Sequence, residues 1–96
     1  AICALIYAYE DMVRNPGGSR QIPPPGICAE YGYLILQPGT AATFTEYATK
    51  KQKNLFQGSD YAAIFTERGQ ELLNKEMEYY PESSLFILPL LKKLAR

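Results

Sequence analysis

The chain contains no histidine, and that absence removes much of the catalytic repertoire. Triads that need an imidazole are excluded, as are the commonest zinc sites. Cysteine is scarce too: Cys3 and Cys28 are the two thiols among 96 residues. They are too few for a site built from four thiolates, and no histidine is present to activate either as a nucleophile. An excess of one charge is also missing, because ten Lys plus Arg balance ten Asp plus Glu. No electrostatic footprint for nucleic acid therefore stands out. Nor is there an apolar run long enough to span a bilayer. Leu85 to Leu91 covers seven residues and contains Pro89, where roughly 20 apolar residues are needed.

What is present has the size of one domain, residues 1–96. A chain this short buries only about 60 % of the surface its unfolded form exposes. Closing a loop between Cys3 and Cys28 would remove about 3.5 kcal/mol of unfolded-state entropy. An even cysteine count in a short chain whose first residue is Ala1 is the pattern of a processed protein in an oxidising compartment. The expectation is a Cys3–Cys28 disulfide in an exported protein, periplasmic, extracellular or lumenal. The alternative is two separate buried thiols.

From Ile2 to Arg14 the residues Ile2, Leu5, Ile6, Tyr9, Met12 and Val13 recur at helical spacing, and Asn15-Pro16-Gly17 stops the pattern. A first helix is expected there. Residues 16–38 hold Gly17, Gly18, Pro23, Pro24, Pro25, Gly26, Gly32 and Pro38, a density of breakers that predicts a long irregular arm. Within it Tyr31, Tyr33 and Ile35 alternate with Gly32 and Leu34, which reads as a short strand or as an extended segment on a surface.

Helical sequence resumes at residue 43, where Thr43-Phe44-Thr45-Glu46 has the form of a capping box. The second helix it opens is expected to end near Gly58. Ser59 or Asp60 then caps a third helix with the stripe Tyr61, Ile64, Phe65, Leu72, Leu73, Met77 and Tyr80. Gly69 within it costs about 1 kcal/mol relative to alanine, which points to a close helix crossing or a kink. Pro81 ends that helix, and a last segment, Leu85 to Leu94, is expected to bend at Pro89. The expected fold is all-α: a small four-helix array, helical over 43–95, with a long Pro/Gly-rich irregular arm, 16–38, between helices 1 and 2.

Connections of that length are uncommon in compact domains and usually contact something. Eight tyrosines strengthen an interaction reading, since Tyr pairs a large apolar ring with a polar tip. The candidate partner-binding residues are Tyr31, Tyr33 and Ile35 in the arm, and Phe86 and Leu90 in the apolar segment. Lys92, Lys93 and Arg96 follow that segment, which suits a partner, a membrane surface or the core of a helix cluster. Glu67, Glu71 and Glu78 fall near one face of the third helix, where paired carboxylates can do acid/base work or hold a hard cation. Arg68, Lys75 and Glu76 interleave with them, as on a solvated face. Asn15 to Arg20 offers amides and a guanidinium to an anion, but lacks the strand and helix that flank a phosphate loop.

Two short resemblances accompany these patterns. The stretch Gly58 to Leu73, with Thr66-Glu67-Arg68-Gly69-Gln70-Glu71-Leu72-Leu73, resembles the part of winged-helix regulators in which a wing strand runs into a helix, and implies DNA binding. Phe44-Thr45-Glu46-Tyr47 with Lys50 and Asn54 is similar to a segment of the photosystem I subunit N family, and implies a non-catalytic protein of the thylakoid lumen. The leading expectation is a non-enzymatic accessory subunit without cofactor or metal, docked on a larger protein complex and peripheral to a membrane or free of one. The alternatives are a periplasmic immunity or inhibitor protein that blocks an enzyme, and a winged-helix-like DNA-binding regulator.

Overall fold

Asp60 opens the longest helix: its carboxylate accepts the Ala63 N–H at 3.2 Å and so caps α5, Tyr61–Tyr79. Around α5 the computed structural model arranges α1 (Ile2–Arg14), α2 (Ile27–Leu36), α3 (Thr40–Tyr47), the single turn α4 (Lys50–Lys53), a 3-10 turn (Pro81–Ser83) and α6 (Ser84–Leu94). The structure describes residues 1–94. The expected end of the helical span at Ala95, and Arg96 of the basic tail, lie outside the described residues. Among the described residues there is no strand, so the all-α class stands.

The arm expected over 16–38 is not irregular throughout. Residues 15–26 are, but Ile27 to Leu36 form α2. The reason is placement of the breakers: Pro23, Pro24, Pro25 and Gly26 all precede the first turn, and Pro38 follows the last. Gly26, with φ at 94°, turns the chain into the helix. Tyr31 and Ile35 are therefore one helical turn apart on the core face, and Tyr33 points outward.

Gly32 is the one breaker inside α2, and it has a use. A Cβ on it would sit 2.9 Å from the carbonyl oxygen of Gly69 and 3.2 Å from Leu72 Cβ. A Cβ on Gly69 would in turn overlap the side chain of Leu36, with Cδ2 at 2.7 Å. Two glycines thus set a close α2–α5 crossing, at the position where Gly69 stands.

The core gathers Cys3 and Ile6 from α1, Cys28, Tyr31 and Ile35 from α2, Phe44 from α3, and Tyr61, Phe65 and Leu72 from α5. Phe44, Phe65, Tyr61 and the half-buried Phe56 form an aromatic cluster with ring centroids 5.0 to 6.5 Å apart. The second expected helix is two. Thr43 lies within α3, its amide already bonded to the Gly39 carbonyl, so it caps nothing. The reciprocal capping box is Thr49 with Gln52, at the start of α4.

The expected disulfide is not formed: Cys3 and Cys28 are both free, buried, and not near one another. Tyr31 meets Glu10 where α1 and α2 touch. At about 1.5 Å of rise per residue, Cys3 lies about 10 Å along α1 from that contact and Cys28 about 4 Å along α2. The alternative of two buried thiols is the arrangement found. Burial, with the Glu76 carboxylate adding to it, pushes the Cys28 thiol up to about 11.

Two measurements check this architecture. Gly69→Ala should lower the unfolding free energy in urea, because about 2 kcal/mol of overpacking outweighs about 1 kcal/mol of helix propensity. In a Leu36→Ala background the same change should raise it instead, and an equal effect in both backgrounds would refute the crossing. Intact mass should be identical with and without reductant, and a disulfide-exchange reagent should modify the thiols only on unfolding. A two-hydrogen gain on reduction would restore the bridge.

Candidate functional site

Two buried glutamates organise the side-chain chemistry. Glu10 belongs to the α1 stripe Cys3, Ile6, Glu10 and is 1 % exposed. Its carboxylate accepts the Tyr31 hydroxyl at 2.6 Å, the Arg68 Nη2 at 3.0 Å and Nε at 3.3 Å, and the Arg14 Nε one turn along α1. Arg68 also pairs with Glu71, and Arg14 Nη2 donates to the Leu55 carbonyl at 2.6 Å. Burial alone would raise the Glu10 pKa, but the Tyr31 hydroxyl and the two guanidiniums outweigh it and hold the carboxyl below its ordinary range. The same burial and carboxylate push the Tyr31 hydroxyl far up, so it stays a donor.

Glu76, 2 % exposed on α5, accepts the Gly26 N–H and the Ala29 N–H at 3.0 Å each. These are the N-cap and third-residue amides of α2, so one carboxylate from a distant helix satisfies donors that α2 leaves open. The 3-10 turn is tied to the same region, since Ser83 Oγ donates to the Tyr80 carbonyl at 2.6 Å and the Tyr80 hydroxyl donates to the Pro23 carbonyl at 2.8 Å.

A cleft of about 710 Å³ opens above Glu10, walled by Arg14, Arg68, Glu67, Glu71 and the segment Asn54 to Gln57. Its buried carboxylate is fully engaged: every hydrogen bond of Glu10 is to Tyr31, Arg14 or Arg68. The floor of the cleft is therefore a structural ion cluster, with Glu67 exposed on its wall. Glu67, Glu71 and Glu78 stand exposed on α5, and among the described residues no three metal-ligating side chains gather at one point.

The five expected partner-binding residues separate. Tyr31 (0 % exposed) and Ile35 (3 %) belong to the core and cannot be presented to a partner. An extended segment would lay both on a surface, whereas the helix turns both inward. Tyr33 (46 %) and Phe86 (62 %) are exposed, and Leu90 is half-buried. Of the other tyrosines, Tyr9 stacks on Tyr31 at 5.5 Å and donates to Glu30, and Tyr61 is buried, while Tyr47 is exposed.

The surface that stands out is α6. Ile87 is its one fully buried residue, while Leu85 (84 %), Phe86 and Leu88 (56 %) face solvent, with Lys92 and Lys93 exposed in the last turn. Pro89 sits inside the helix, where the Leu85 carbonyl loses its usual amide partner. Among the described residues no helix is long and apolar enough to cross a membrane.

No protein-family model matches the chain, and neither the curated proteins nor the solved structures include one similar to it. The stretch that resembles a wing strand entering a helix is helical from Tyr61 onward, and among the described residues no strand precedes it.

The Glu10 cluster has a pH signature. A carboxyl whose folded pKa is lowered adds stability above its ordinary value of 4.5, and that stability is lost as pH falls through the folded value. Tyr31→Phe should cost about 2 kcal/mol at neutral pH, where it removes a hydrogen bond to a buried charge. In acid that cost should shrink, because the acceptor is then neutral. Denaturant melts of both proteins at the two pH values read it, and a cost independent of pH would show that Glu10 is not the charged acceptor.

Proposed function

We propose that the protein is a non-catalytic accessory module that docks on a larger assembly, with α6 as its contact surface. The observation that carries this reading is the exposure of Leu85, Phe86 and Leu88 on one helix that Ile87 alone anchors fully. Burying a side chain of this kind is worth about 1.5–3 kcal/mol, a gain that the isolated fold leaves unclaimed three times on 11 residues. A contiguous exposed apolar patch is the usual mark of an interaction site.

The spent state of Glu10 supports the absence of catalysis, since the most buried carboxylate of the cleft is committed to holding three helices together. Interaction through a tyrosine-rich arm has less support, because Tyr31 and Ile35 are internal. The expectation of export loses the disulfide on which it rested.

Size-exclusion chromatography of the native source material, prepared without detergent so that membrane fragments are retained, tests the reading. The unaltered protein should elute with its assembly, and Phe86→Ser should elute as a free monomer with an unchanged melting temperature. Elution of the unaltered protein as a free monomer would overturn it.

A further inference from the structure

We propose that the surface α6 docks on is an anionic lipid surface, with α6 lying on it rather than crossing it. The inference rests on the reading of α6 as the contact helix and specifies the chemistry of what it touches. At about 100° of turn per residue, Leu85, Pro89 and Lys92 share the outward line of α6, flanked by Leu88 on one side and by Phe86 and Lys93 on the other. Exposure agrees with that phase: Ile87 is buried, and Leu90, Leu91 and Leu94, on its side of the helix, are half-buried. The outward face is thus apolar at its first turn and cationic at its last.

Charge complementarity decides between occupants. α6 carries no carboxylate, and Lys92 and Lys93 have no ion-pair partner among the described residues. Leu and Phe beside Lys is the composition of helices that rest in the headgroup region, where the long lysine stems let the ammonium reach phosphate while the apolar residues enter the acyl boundary. Protein interface cores favour Tyr, Trp, Phe, Met and Arg and are depleted in Lys, so it is the lysines rather than Phe86 that separate the two kinds of occupant. The face offers no hydrogen-bonding side chain to a protein partner between Leu85 and Leu91. Glu82, exposed in the preceding turn, is the nearest opposing charge in sequence.

Co-sedimentation of the full chain with vesicles tests this. Binding is expected to phosphatidylcholine vesicles containing phosphatidylglycerol, to fall steeply with salt, and to be weak on phosphatidylcholine alone. Lys92→Ala and Lys93→Ala should each weaken it about 5-fold, Phe86→Ser about 10-fold or more, and Glu82→Gln should strengthen it. Absence of binding to the anionic vesicles, or binding that ignores the lysine substitutions, overturns the lipid inference. If Phe86→Ser still detaches the protein from its assembly in that case, the docking reading stands with a protein as the occupant. If Phe86→Ser changes neither vesicle binding nor the native elution, both fail. Sedimentation velocity without lipid covers the remaining occupant, since a dimer dispersed by Phe86→Ser would assign the face to a second copy of the chain and overturn the lipid inference.

Discussion

A carboxylate taken out of water must be surrounded by donors, and the carboxylate of Glu10 fixes where three helices stand. α1 brings it, α2 answers with Tyr31 and α5 with Arg68. Leaving such a group unpaired is far costlier than the net worth of the pairing, so a displacement of α2 or α5 that strands Glu10 is heavily disfavoured. The Gly32–Gly69 crossing is what allows both helices to come near enough to serve it. Glu76 repeats the device at the N-terminus of α2 with backbone amides as the donors. The chain has no crosslink, and these two buried acids give its helices their fixed relation.

Much of the helical plan was legible from periodicity and punctuation. Asn15-Pro16-Gly17 stops α1, Asp60 starts α5 and Pro81 ends it, each for a local reason that the backbone obeys. α2 is hidden because its flanking prolines, Pro23 to Pro25 and Pro38, give the whole stretch the composition of a loop. Twelve residues run from Gly26 to Gln37 without a proline, and Cys28, Tyr31 and Ile35 repeat there at helical spacing. The capping box at Thr43 was misplaced for a related reason: the same short pattern occurs at Thr49 with Gln52, and only tertiary context selects between them. The disulfide was an inference from counting alone, and helix geometry places the thiols apart.

The candidate site was legible only in part. The apolar segment beside lysines makes Phe86 conspicuous, and it is exposed, but Tyr31 and Ile35 are buried because a helix stands where an extended segment is expected and turns them inward. The Glu10–Arg68 pairing spans 58 positions of sequence and no local rule brings it together. A signal did exist. Glu10 falls where the stripe Cys3, Ile6 asks for an apolar residue, and Arg68 interrupts α5 between Phe65 and Leu72. A charge inside an apolar stripe asks for a counter-charge from elsewhere in the fold.

The cap on α2 also has a meaning in time. Its donors are closed by Glu76, 47 to 50 positions downstream, so a chain growing from its N-terminus can make the turns of α2 long before it can finish them. Until α5 has formed, the first half lacks the acceptor for those amides and the second guanidinium for its buried acid, with Arg14 of α1 as the first. The cap of α2 and the ion cluster around Glu10 are in that sense completed from the far end of the chain.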